Sequence, residues 1–292
     1  MIGGVTNRPG RWEWDETLYA GAARYYSIGR MPYPDSLARA ISGELGLDRS
    51  GRLLDVGCGP GSLTLLLAPL FESATGIDGS SEMIATARAG AADAGITNAG
   101  WQVRRAEDID PSLGRFRVVT FAQSFHWLNR PLVAGLVRSV LEPGGACVIV
   151  YAMTHAGVGT TGELPLPTPP RHEIDNLIGA YLGSTRRAGR GTRPVADRPG
   201  DDTGRSDEEI LAGAGFGFAA ELTVAAGPPT YRDENEIVAS VFSLSYAAPD
   251  HFGGRLADFE RDMRDLLRRT APDGRFCEQP REIRVNVWRP AP

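Results

Sequence analysis

The chain has 292 residues, 42% of them hydrophobic, and a formal net charge of −5. That size suits one α/β domain with an added lobe, and the apolar share is enough for a proper core. The acidic balance argues against a general nucleic-acid binder, which needs a basic stripe, and no apolar run approaches the ~18 residues of a membrane span.

All 31 basic residues are arginine. The absence of lysine removes the P-loop lysine, a Schiff base to pyridoxal phosphate and a lysine general base. Cys58, Cys147 and Cys277 lie far apart, with neither zinc spacing nor a disulfide framework. They are expected to be small packing residues in a reducing cytoplasm. Met1 to Gly10 lacks the apolar core of a secretory signal, so a cytoplasmic protein is expected.

Residues 1–50 read as an N-terminal helical cover, with Trp12, Trp14, Tyr25 and Tyr26 ahead of a Pro-rich break at Met31–Pro34 and a helix over 35–45. From 51 to 153 strands and helices alternate. Strands are expected at 52–56, up to Asp78, near 101–104, at 117–121 and at 146–152, with helices at 61–70, 80–94 and 131–141 between them. This pattern predicts a doubly wound, mostly parallel α/β sheet. Gly, Pro, Thr and Arg then interrupt the pattern, and 154–205 reads as an inserted lid around a helix at 172–182. Residues 206–292 are expected to complete the α/β core with helices at 206–214, 233–244 and 253–270 and strands at 218–225 and 283–288. The alternation of Ile283–Trp288 suits an antiparallel last strand.

The most informative stretch is Leu53–Gly61, an apolar strand running into Gly57, Gly59 and Gly61. Such glycines permit a tight turn and let a ligand approach the backbone. A dinucleotide site has the spacing G-x-G-x-x-G and no acid before it; here the third glycine comes one residue early and Asp55 precedes the turn. A phosphate-bearing ligand disfavours that acid, whereas a ligand with an ammonium group can pair with it. Asp78, at the end of the next strand, can accept both hydroxyls of a ribose, as acids at this place also do in NAD sites. Gly79 and Met83 follow it into the expected site, and Cys58 sits within the turn.

These residues resemble the first motif of class I S-adenosylmethionine-dependent methyltransferases, which implies a seven-stranded Rossmann-like fold with S-adenosyl-L-methionine as cofactor and S-adenosyl-L-homocysteine as product. The resemblance implies that Ala106 and Glu107 meet the adenine through a backbone N–H and a carboxylate. Phe121–Trp127 resembles a string in the small-molecule branch related to trans-aconitate methyltransferases, and Gln123 and Ser124 would face the reactive end of the cofactor. A set of actinobacterial methyltransferases is similar over the same region. The Asn/Asp-Pro-Pro-aromatic motif of nucleobase-methylating enzymes is not present.

Tyr26 and Arg30 are the candidates for the methionine carboxylate. His126 is the candidate general base; the other reading is a structural histidine beside Trp127. His155 and His172 fall at or in the lid, His251 in a turn, and Arg186, Arg187 and Arg193 could clamp an anion or be solvated. The expected function is methyl transfer to a small-molecule acceptor, without nucleic acid, membrane or metal. The alternatives are an S-adenosylmethionine-binding protein without transferase activity and an NAD(P)-dependent oxidoreductase.

Overall fold

The computed structural model describes residues 21–158, 164–183, 185–188, 191–194 and 205–291. Trp12 and Trp14 lie outside these, as do the side chains of Arg186, Arg187 and Arg193.

The chain enters through α1 (Ala23–Gly29) and α2 (Asp35–Leu45), with Pro34 extended before α2 and Gly46 left-handed after it. Then β1 (Arg52–Val56), α3 (Ser62–Leu67), β2 (Ser73–Asp78), α4 (Ser81–Asp93), β3 (Ala99–Val103), β4 (Phe116–Ala122), α5 (Arg130–Val140) and β5 (Leu141–Tyr151) follow in strict alternation. Ser80 caps α4 by accepting from the Met83 N–H at 3.3 Å. After α6 (Arg171–Leu182), the short strands β6 (Thr185–Ala188) and β7 (Gly191–Pro194) form a hairpin. Next come α7 (Asp207–Gly213), β8 (Phe216–Val224), β9 (Thr230–Asp233), α8 (Glu234–Phe242), α9 (Leu256–Thr270), β10 (Arg275–Glu278) and β11 (Ile283–Pro290). Helices α7 and α8 both begin with a capping box, Ser206 with Glu209 and Asp233 with Glu236.

Seven strands form one sheet in the order β3-β2-β1-β4-β5-β11-β8. Only β11 runs against the rest, between β5 and β8, as its alternating sequence predicts. Consecutive strand residues feed opposite faces. Leu53, Val118, Val148 and Val285 pack under α2 and α3, whereas Leu54, Val119, Ile149 and Trp288 pack under α5 and α7. Covering both faces buries the central strands β1, β4 and β5, as a parallel sheet requires.

The expectation that 206–292 simply completes this core needs correction. Only α7, β8 and β11 do so. Helices α8 and α9 join α6, with Tyr25 of α1 packed alongside, around a separate apolar core containing Ile174, Ile178, Phe242, Phe252, Phe259 and Phe276. Phe252 stacks on Phe259 at 4.1 Å, and Tyr181 meets Phe259 edge-on at 5.3 Å. The aromatic count alone gives this lobe a core of its own. The insertion is accordingly anchored: α6 buries Ile174 and Ile178 in the lobe rather than hanging over the sheet as a free lid.

A buried charged node ties lobe to sheet. Glu278 accepts from Arg171 at 3.0 and 2.7 Å and from Arg232 at 3.3 Å. Arg232 also donates at 2.8 Å to the Gly29 carbonyl, and both arginines donate to the His155 carbonyl. At this crossing α1 lies directly on α8, where a Cβ on Gly29 would fall 2.3 Å from the Ala239 carbonyl carbon. Neither backbone can yield there, so Gly29→Ala is expected to cost roughly 1–3 kcal/mol. Denaturant unfolding checks this, and unchanged stability would show that the two helices can part.

Candidate functional site

The carboxyl ends of β1, β2, β3 and β4 open onto a cleft with two adjoining parts, where open α/β sheets hold their ligands. Its floor is the turn after β1. Gly57, Gly59 and Gly61 all take positive φ, at 65°, 54° and 83°. Each is glycine for a different reason. A Cβ on Gly57 would lie 2.6 Å from the Ser124 Cβ, while one on Gly59 would meet nothing within 4 Å and would project into open space. A Cβ on Gly61 would lie 2.4 Å from the Trp101 ring. Gly61 does not border the cleft, so its expected contact with a ligand is corrected to packing against β3.

Asp55 is likewise corrected. It is 1% exposed and does not reach the cleft. Its Oδ2 accepts from Thr64 Oγ1 at 2.6 Å and its Oδ1 from Thr120 Oγ1 at 2.8 Å. Burial pushes this carboxyl up to about 6, against the pull of the two hydroxyls.

The larger part of the cleft holds two carboxylates. Asp78 Oδ2 accepts from the Gly59 N–H at 2.9 Å and Oδ1 from the Ser80 N–H at 2.8 Å, leaving each oxygen a further lone pair. Burial raises its pKa, and these two N–H groups oppose the rise. Glu107 Oε1 accepts from the Asn129 N–H at 3.0 Å. Its Oε2 is buried without a hydrogen bond, with Arg105 Nε 3.7 Å away. Gly79, Met83, Ala106, Trp127 and Leu128 complete a mainly apolar wall. Ser124 borders the same space, but its hydroxyl is committed to the Val56 carbonyl at 2.6 Å.

The smaller part is lined by Arg30, Met31, Tyr33, Cys58, Pro60 and Thr154. Arg30 lies 4.5 Å over the Tyr26 ring and donates from Nε and Nη2 to the side chain and carbonyl of Ser243 at 2.8 and 2.9 Å. Its Nη1 is 3.4 Å from His155 Nδ1. A guanidinium only donates, so Nδ1 accepts and the ring is neutral. Burial and the surrounding Arg30, Arg171, Arg281 and Arg232 push His155 down to about 3. Among the described residues no carboxylate pairs with Arg30. Burial holds the Cys58 and Tyr33 protons on, raising both groups. Tyr26, Gly57, Gly59, Ala122 and Gln123 border both parts and mark their junction.

His126 is not part of this wall. The 3₁₀ turn Phe125–Trp127 sends Phe125 into the core and Trp127 to the cleft. His126 packs behind it on the Trp127 ring, 4.7 Å between centroids, and burial, with Asp207 and Arg130 nearby, lowers it to about 4. His172 is exposed and bonded to Asn176, and His251 lies 2.7 Å from the Ser245 carbonyl. The sequence reading missed Trp127, Leu128 and Tyr33 as cleft residues. Tyr33 stood in plain view within Met31–Pro34, but proline there signalled only a break.

Residues 53–145 match the family described as a methyltransferase domain. Over this stretch the chain is similar to a methyltransferase domain. It is 37% identical over 213 residues to the trans-aconitate 2-methyltransferase of Delftia acidovorans, covering 69% of this chain and 66% of the relative. It is 29% identical over 153 residues to the 2-heptyl-1-hydroxyquinolin-4(1H)-one methyltransferase of Mycobacteroides abscessus, covering 51% of this chain and 65% of that one. The chain thus spans just under two thirds of the length of either relative. Among solved structures, an S-adenosylmethionine-dependent methyltransferase from Geobacter sulfurreducens in complex with S-adenosyl-L-homocysteine shares the fold, with TM-score 0.51, 14% identity and coverage of 94% of this chain and 97% of that one.

Two predictions follow from the sealed and displaced side chains. The folded-state pKa of Asp55 lies above its unfolded value, so the folded state binds this proton more tightly and stability rises as pH falls from about 6 toward 4. At neutral pH the ionised group costs on the order of 3 kcal/mol. Asp55→Asn should remove this pH-dependent difference, read from denaturant unfolding of both proteins between pH 4.5 and 7.5. His126→Phe should leave affinity for S-adenosyl-L-homocysteine within about twofold by calorimetry, as expected of a change outside the site.

Proposed function

We propose that the protein transfers the methyl group of S-adenosylmethionine to a small-molecule acceptor. The observation that carries this reading is one cleft with two chemically opposite ends. The apolar end offers Asp78 and the unbonded Glu107 Oε2, and the other offers Arg30, which has no carboxylate partner among the described residues. A nucleoside joined to an amino acid matches that polarity.

In this reading the free lone pairs of Asp78 take the ribose hydroxyls, and Glu107 Oε2 takes the exocyclic amine of adenine. That pairing would satisfy a buried oxygen that is otherwise costly to leave unbonded. Met83, Ala106 and Leu128 supply the apolar bed of the base. Arg30, seated on Tyr26, pairs with the carboxylate, and Gly57 and Gly59 keep side chains out of the path between the two ends. Asp55 works from below by holding the turn.

When bound, the cofactor's sulfonium supplies a methyl group already activated for transfer. The chain's part is to hold both reactants in line and to keep water away, which in well-oriented pairs recovers about 7–11 kcal/mol of barrier. A small acceptor is supported by the two relatives, whose names give trans-aconitate and a hydroxyquinolone, and by the acidic charge of the chain.

Calorimetric titration with S-adenosylmethionine, S-adenosyl-L-homocysteine, NADH and NADPH tests the cofactor reading. Binding of the two sulfur ligands and silence with the nicotinamides is expected, and nicotinamide binding would sink it. Asp78→Ala should weaken S-adenosyl-L-homocysteine at least about tenfold, ~1.4 kcal/mol, with the thermal unfolding transition retained. Release of S-adenosyl-L-homocysteine across a panel of carboxylic acids, phenols and amines then tests transfer itself.

A further inference from the structure

Gln123 directly follows β4, at the junction of the two parts of the cleft. It has φ 57°, and among the described residues only Arg49, in an exposed turn, is another non-glycine residue with positive φ. Such a conformation is strained and survives only where the surroundings enforce it. Here they do. The Gln123 backbone N–H donates to the Val150 carbonyl at 3.2 Å, and the side-chain Nε2 donates to the same oxygen at 3.3 Å. The next residue, Ser124, is locked to Val56 and pressed against Gly57.

This arrangement fixes the amide's orientation. A carbonyl oxygen can only accept, so Nε2 must face Val150 and Oε1 must face the other way. Oε1 makes no hydrogen bond to a described residue. The strained backbone thus delivers one oriented, partly negative oxygen to the junction of the cleft and spends the amide's donor on the sheet.

Resting on the proposed function, a cofactor laid across the two ends has its sulfur at that junction. We propose that the Gln123 Oε1 contacts the sulfonium centre and its methyl group, so that this residue makes the site prefer the methylated cofactor to the demethylated product. The oxygen is attracted to the positive sulfur and to the methyl hydrogens polarised by it, and it loses this partner once the sulfur is a neutral thioether. Discrimination of this kind favours exchange of spent cofactor for fresh, and it orients the methyl group without any proton transfer.

The test is the ratio of two affinities, measured by calorimetry without an acceptor. Gln123→Met keeps the length of the side chain and removes the oriented oxygen. It is expected to weaken S-adenosylmethionine about tenfold, the scale of a hydrogen bond to a charged group, while S-adenosyl-L-homocysteine stays within about twofold. Equal loss for both ligands would make Gln123 a structural residue and overturn the proposal, as would no change in either. If the wild-type protein binds neither ligand, the cofactor reading falls and this inference falls with it. Should Gln123→Met fail to fold, Gln123→Asn decides by the same ratio. Asparagine tolerates the left-handed backbone and draws the oxygen back by one methylene, so the same selective loss is expected, and an unchanged ratio overturns the proposal.

Discussion

The cleft depends on a carboxylate that never reaches it. Asp55 joins β1 to α3 through Thr64 and to β4 through Thr120. It thereby fixes the angle at which the chain leaves the strand and climbs into the helix. With that angle set, Gly57 passes over Ser124, Gly59 offers its N–H to Asp78, and the ends of three neighbouring strands come into line. The cost is visible in the carboxyl's own chemistry, since burial works against its charge and two hydroxyls only partly offset that. A buried ionisable group of this kind is weak evidence of stability. Here it is better understood as fixing geometry, because three elements share one acceptor.

The opposite wall is built by a different logic. Arg30 follows a helix of only seven residues, too short to be stable alone. Its position comes from α8, by way of the Gly29 contact and the bonds to Ser243, and from Arg232 reaching back to the Gly29 carbonyl. Two guanidinium groups share Glu278, so the node carries more positive than negative charge before Arg30 is added. Burial, with four arginines nearby, keeps His155 neutral, which lets its Nδ1 accept from one of them. The sheet therefore forms one wall of the cleft locally, while the other wall depends on the helical lobe holding its place.

This division explains what was readable in the sequence. The strands, the parallel order and the antiparallel β11 follow from periodicity within short windows, and Gly57, Gly59 and Asp78 belong to a single strand–turn–helix–strand unit. Asp55 was misplaced because its acid signal is local but its partners are not: Thr120 is a hydroxyl on another strand, and nothing in the sequence joins the two. Gly61 was misplaced because spacing counts glycines without saying which neighbour crowds each one. Of the two readings of His126, the structural one fits its place, because the 3₁₀ turn lays its ring against Trp127. The lobe was illegible for a further reason. Its core joins Ile174, Phe242, Phe259 and Phe276 from separate segments, and the paired strands β9 and β10 have only four residues each.

The two walls also differ in what they leave free for chemistry. On the sheet side nearly every polar group has a partner within the protein: Ser124 with Val56, Nε2 of Gln123 with Val150, and both oxygens of Asp78 with backbone N–H groups. What remains unspent is sparse and directional, chiefly Glu107 Oε2, the second lone pairs of Asp78 and Gln123 Oε1. A site so nearly saturated can recognise one ligand by a few oriented atoms, because any group placed wrongly would break a bond the protein already makes. On the lobe side, cationic groups outnumber carboxylates, and the wall comes from segments that the sheet does not constrain. The lobe can therefore vary in sequence and shape without disturbing the sheet-borne half of the cleft. On the proposed reading, acceptor choice resides in the lobe and cofactor recognition in the sheet.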